Sequence, residues 1–154
     1  MTNDSTPNTF RRVQWLGYAG LLPQFLAAIL FVRGDEAGWI ALAGGFAYSA
    51  LIFSFLGGVW WGQALAKPDA PSWSYVAAVL PSLIGVVLFI PWTLGWAWPE
   101  PSLLWLGIFI ALSPLVDRQL AFGDAAWMRL RWHLSLGLGS LTLVLAILGL
   151  SARP

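Results

Sequence analysis

The sequence predicts an all-α polytopic membrane protein, a five-transmembrane-helix bundle with its N-terminus inside and its C-terminus outside. Three observations carry that prediction. Of the 154 residues, 58% are hydrophobic and 10% charged, where a soluble domain carries about 25% charged residues. The apolar residues gather into five runs, each bounded by charges or by Pro and Gly clusters, and each about long enough to cross a hydrocarbon core at about 1.5 Å per residue. The 11 tryptophans sit at the boundaries of these runs, where indole rings prefer the level of the headgroups.

The first run covers about 13–32, behind a polar tail at 1–12, and stops at "RGDE". The second, about 38–66, is longer than one crossing needs, so it must tilt or protrude. The third, about 73–90, ends in "PWTLGWAWPEP". The fourth covers about 102–120, with Asp117 and Arg118 expected at the interface or one turn inside it. The fifth covers about 127–150 and leaves a short tail at 151–154. Together 13–150 form a single transmembrane domain. The alternation in "LSLGLGSLTL" mimics a strand, but a lone strand leaves its backbone unpaired in lipid, so helix is expected there. Trp15, Trp39, Trp73, Trp105, Trp127 and Trp132 fall near the starts of runs, and Trp60, Trp61, Trp92, Trp96 and Trp98 near their ends, as interfacial anchors do.

An odd number of spans puts the termini on opposite sides. Arg11, Arg12, Lys67, Arg118, Arg129 and Arg131 fall on the side of the N-terminus, against Arg33 and Arg153 on the other. The positive-inside bias therefore keeps the N-terminus inside. Arg11 and Arg12 ahead of an apolar run resemble a signal peptide, but the run is too long for one and is read as a retained anchor. No basic stripe is present, which argues against nucleic acid, and the absence of Cys removes disulfides and thiol chemistry. The lipid bilayer is the partner this composition demands.

The stretch "FLGGVWWGQALAKPDAPSW" sets two glycines against two tryptophans. At helical spacing Ala50, Ser54, Gly58 and Gly62 recur every fourth residue and form a helix-packing groove of small side chains, the kind of surface over which helices associate in lipid. Ala77, Pro81 and Gly85 in the third run and Ser135, Gly139 and Thr142 in the fifth offer matching faces. Whether the groove serves contacts within the chain, self-association or another membrane protein is left open by spacing alone.

Pro23, Pro81 and Pro114 lie inside apolar runs and free the carbonyls of Ala19, Ala77 and Ile110. Beside them Gln24, Tyr48, Ser82 and Ser113 either line a polar pocket near the midplane or simply re-satisfy the backbone. The ionisable residues gather at the inner face as Asp117, Arg118, Arg129, Arg131 and His133. Arg129 and His133 share a face at i and i+4. With Asp117 they either clamp an anion (a lipid phosphate, a quinone headgroup, an acidic partner segment) or leave Asp117 to pair with one Arg and pin the last hairpin. With one His and no Cys there is no metal site, no haem pair and no catalytic triad to assemble, so neither an enzyme nor a cofactor is expected.

The segments "YSALIFSFLGGVWWGQAL" at 48–65, "SPLVDRQLA" at 113–121 and "WMRLRWHLSL" at 127–136 resemble the transmembrane-protein-69-like family, small polytopic proteins of proteobacteria and mitochondria that form a domain-of-unknown-function family. The resemblance covers almost the whole chain and rests most on the Leu-Gly-Gly-x-x-Trp-Gly element. The family pattern often has His at the position held here by Trp60. It implies a bacterial inner membrane, or the mitochondrial inner membrane in a eukaryote, and no activity. The sequence thus points to an accessory, assembly or interaction protein, with a small-molecule, lipid or quinone binding protein or carrier as the alternative.

Overall fold

Six helices follow one another in the order α1 (Thr6–Ala19), α2 (Leu22–Val32), α3 (Ala37–Leu65), α4 (Trp73–Thr93), α5 (Glu100–Leu120) and α6 (Ala125–Ser151). The computed structural model describes residues 6–34, 37–120 and 124–152. Asp35, Glu36, the last residue of "SPLVDRQLA" and Arg153 lie outside the described residues. No strand occurs among those described. Five segments are long and apolar enough to cross a membrane, namely Thr9–Val32, Ala37–Leu65, Trp73–Thr93, Glu100–Leu120 and Ala125–Ser151. The fold class is therefore all-α with five membrane-length spans.

The first span is two helices rather than one kinked helix. Pro23 falls in the first turn of α2, where a missing N–H costs nothing and the fixed φ suits the helix. The chain accordingly breaks just before it, at Gly20 and Leu21. Helix also begins at Thr6, inside the stretch expected as a polar tail, because backbone hydrogen bonding does not stop where the apolar run does. In α4 and α5 the helix continues through Pro81, Pro91 and Pro114. At Pro114 the freed carbonyl of Ile110 accepts a hydrogen bond from Ser113 Oγ at 2.8 Å, so the backbone is re-satisfied by the neighbouring hydroxyl.

Caps set the other ends. α4 closes with Gly95 at φ +70, where Gly95 N–H donates to Trp92 O at 3.2 Å and Trp96 N–H to Pro91 O at 2.9 Å. This is the Schellman arrangement, and it needs a residue that tolerates positive φ. α6 opens on Asp124, whose Oδ1 accepts from Trp127 N–H at 2.8 Å, satisfying one of the orphan donors of the first turn.

The closest pairing is α5 on α6, followed by α3 on α4 and α2 on α3, while α1 rests mainly on α6. Leu103, Leu106 and Ile110 of α5 and Leu145 of α6 are fully buried at the centre, with Phe46, Phe53 and Leu56 of α3 around them. Backbones meet where glycines allow it. A Cβ on Gly107 would lie 3.0 Å from Gly139 O, and one on Gly139 2.8 Å from Gly107 O. Without a hydrophobic drive between helices in lipid, such close contact is what holds the pair. The outward faces are apolar, as Val76, Leu83 and Val86 of α4 show.

Two ends of the bundle differ in character. One carries Lys67, Arg118 and Arg129, all exposed, and is the basic end. The other carries an aromatic cluster in which Trp92 stacks on Trp39 at 5.3 Å and Trp98 lies 5.6 Å from Trp39 and 5.1 Å from Phe46.

Candidate functional site

At the basic end the heptad rhythm that buries Leu103, Ile110 and Ser113 on α5 carries on to Asp117 and turns it towards α6. Asp117 is 1% exposed and sits in a fork of donors from two helices. Arg131 of α6 gives its Oδ2 two bonds, from Nε at 2.9 Å and Nη2 at 2.6 Å. Trp60 of α3 donates its indole N–H to Oδ1 at 2.8 Å. A charge this deep is tolerated only when paired and hydrogen-bonded, and both conditions are met here. The triad ties α3, α5 and α6 together. Asp117 is thus buried between helices.

The other charged residues of this end are arranged differently. Arg129 and His133 lie on the opposite side of α6 from Arg131, because two residues of helix turn about 200°, and both are exposed. His133 Nδ1 shares a hydrogen bond with Tyr18 Oη at 3.1 Å, joining α6 to α1. Arg118 is exposed. Of the five residues, then, Asp117 and Arg131 are brought together, and Arg118, Arg129 and His133 point away from them. Lys67 donates to Leu120 O at 3.1 Å and so fastens the α3–α4 turn to the end of α5.

The four residues expected near the midplane each bond to a different partner. Gln24 is fully buried and donates Nε2 to Thr142 Oγ1 at 3.2 Å. Thr142 spends its own proton on Leu138 O at 2.8 Å, so Ser49 Oγ, 2.9 Å away, donates to it as well. Gln24 Oε1 is buried with no partner among the described residues. Tyr48 Oη donates to Gly20 O, stapling the α1–α2 break to α3. Ser82 pairs with Ser54 at 2.7 Å on the outside of the α3–α4 contact. Ser113 bonds the freed Ile110 O and Ser135 Oγ, the latter at 3.1 Å.

The small-residue groove winds around α3. Steps of four residues turn about 400°, so the stripe precesses by about 40° at each step. Ala50 lies against Gly85 of α4, and Ser54 reaches Ser82. By Gly58 and Gly62 the stripe has left α4, and a Cβ at either would meet nothing within 4 Å. The α4 contact passes instead to Gly57, seven residues beyond Ala50, where a Cβ would collide with Ala78 O and come within 3.2 Å of Pro81 Cγ. The partner faces also divide: Pro81 and Gly85 meet α3, whereas Gly139 meets Gly107 of α5 and Thr142 meets α2 and α3 through Gln24 and Ser49.

Three functional contacts escaped the sequence reading. Trp60 and Trp98, grouped with the interfacial anchors, are 3% and 8% exposed. Trp60 serves Asp117, and Trp98 Nε1 donates to Leu88 O at 3.2 Å beside Ser102 Oγ at 2.7 Å. Ser49 carried no signal beyond being a small polar residue in an apolar run. Trp127 turns inward at the mouth of a cleft of about 420 Å³ between α1, α3 and α6, whose walls include Leu16, Val59, Leu130, Arg131 and Leu138. A second, shallower groove of about 730 Å³ runs along α3 and α4 past Ala47, Ser54 and Gly85. Among the described residues no three His, Cys, Asp or Glu side chains converge as a metal site would require.

Five membrane-length apolar spans, fastened among the described residues by the buried Asp117–Arg131 pair and by interhelical hydrogen bonds, define a polytopic α-helical membrane protein. Over residues 9–148 the chain matches the family described as "Protein of unknown function (DUF3429)", and it belongs to that family. No curated protein and no solved structure matches it.

Proposed function

We propose that this protein is a non-enzymatic accessory or assembly protein that works by receiving another membrane helix against the outward face of α3, from a partner protein or from a second copy. The observation that supports this reading is the state of Gly58 and Gly62. Glycine in a helix costs about 1 kcal/mol relative to alanine. At Gly45, Gly57, Gly107 and Gly139 close packing within the chain repays it, since a Cβ at each would meet a neighbour. At Gly58 and Gly62 nothing among the described residues does, and two glycines four residues apart on an apolar face form the small-xxx-small surface over which membrane helices associate.

The same reading places the protein in the bacterial inner membrane, or the mitochondrial inner membrane in a eukaryote, with the basic end inside. It takes the chain as similar to the transmembrane-protein-69-like proteins within the family. The Leu-Gly-Gly-x-x-Trp-Gly element supports that kinship, with Gly57 on α4 and Gly58 and Gly62 facing outward. Gly58→Leu tests the function cleanly, because the added side chain enters open space. The protein is expected to fold and melt as wild type in mild detergent while losing a stoichiometric partner or its dimer. A wild-type preparation that is monomeric, alone and indifferent to Gly58→Leu contradicts the proposal.

A further inference from the structure

The cleft between α1, α3 and α6 has a feature that the packing of the chain leaves unused. Its walls are apolar for most of their length, from Leu138 near the middle of α6 down to Leu130, with Leu16 of α1 and Val59 of α3 opposite. The polar groups gather at the basic end. Trp127 lines the cleft there, and its Nε1 is buried with no hydrogen-bond partner among the described residues. Arg131 lines it too, one turn further in, and its bonds to Asp117 employ Nε and Nη2, leaving Nη1 outside that pair.

Both groups are donors, so whatever enters must present an acceptor to them and an apolar tail to the rest. A buried indole N–H left unpaired is costly, which makes the site one that an incoming acceptor completes. The rim decides the charge of that acceptor. Arg11 and Arg12 are exposed on α1 directly before Val13 of the cleft wall. Of the acidic groups at this end among the described residues, Asp117 is held by Arg131 and Trp60, Asp124 accepts from the Trp127 backbone, and Asp69 is exposed in the α3–α4 turn, away from the cleft lining. α1 is the least packed helix, with Leu16 74% exposed, so an acyl chain reaches the cleft sideways from the bilayer.

We infer that this cleft is a binding site for an anionic phospholipid, with one acyl chain lying between α1, α3 and α6 and the headgroup phosphate accepting from Trp127 Nε1 and Arg131. A cavity of about 420 Å³ is within the range of ligand sites, about 300–1,000 Å³, and basic residues beside an interhelical pocket are the usual means of holding such headgroups. The inference does not rest on helix association at Gly58 and Gly62, and lipid retention is read separately from it.

The experiment is native mass spectrometry of delipidated protein titrated separately with dioleoyl phosphatidylglycerol, dioleoyl phosphatidylcholine and a long-chain benzoquinone. The wild type is expected to retain one phosphatidylglycerol per chain, about tenfold more tightly than phosphatidylcholine, and to release it to neither competitor. Trp127→Phe keeps an aromatic ring and removes a donor unpaired among the described residues, so it is expected to weaken phosphatidylglycerol binding about tenfold with little change in melting temperature. Val59→Trp, which fills the cleft, abolishes it. Equal retention of the two phospholipids, preference for the quinone, or a Trp127→Phe variant that binds as wild type overturns the inference. Should Val59→Trp fail to fold, Trp127→Phe still decides.

Discussion

Asp117 shows how much one side chain carries in this protein. It accepts three donors from two other helices, so its removal leaves a guanidinium buried at 6% exposure with no counter-charge. Breaking a buried pair from one side costs about 3–5 kcal/mol, whereas replacing both members with apolar groups is often neutral. Asp117→Asn is therefore expected to lower the melting temperature in detergent sharply. The double variant Asp117→Leu with Arg131→Met is expected to recover most of the loss. Equal and additive losses in a thermal double-mutant cycle would show that the two residues do not act as a pair. In the sequence Asp117 was visible as a charge near a span end, and its partner was narrowed to an arginine of the last hairpin. The choice among Arg118, Arg129 and Arg131 was not visible, because it depends on the rotational phase of α6 against α5. Trp60 was hidden for a related reason, since a tryptophan near a span end reads equally as an anchor or as a donor to the core.

Among elements, α3 is the organising one, meeting α2, α4, α5 and α6. Its glycines separate into two kinds. Gly57→Ala puts a methyl against the Ala78 carbonyl, which has no freedom to retreat, and is expected to cost about 1–3 kcal/mol. Gly58→Ala meets open space and is expected to be neutral or slightly stabilising. Comparing the two by thermal unfolding in one detergent separates the kinds, and a Gly58→Ala variant as damaged as Gly57→Ala would contradict the assignment of faces. The spans themselves were legible from hydropathy, and the helical identity of "LSLGLGSLTL" followed from what lipid permits. The packing face of α3 was legible only in part, because a stripe at every fourth residue drifts around the cylinder while one at every seventh stays in place. Pro23 reads in the sequence as a proline inside one apolar run, and the preference of proline for the first turn of a helix makes it the restart of a second helix.

For the whole molecule, composition already dictated the class. A chain with its apolar side chains on the outside of α4 and its polar bonds inside, among Gln24, Ser49 and Thr142, inverts the order of a soluble protein, as a hydrocarbon solvent requires. Five crossings are expected to set the two ends of the chain in different compartments, and the sparse charge at the basic end, from Lys67 to Arg131, is expected to orient the bundle. The most direct measurement is a pair of reporters, one that is active only in the cytosol and one only outside it, fused in turn to the N-terminus and the C-terminus. The account predicts a cytosolic signal from the N-terminal fusion and an external signal from the C-terminal one. Both ends reporting the same compartment would contradict it.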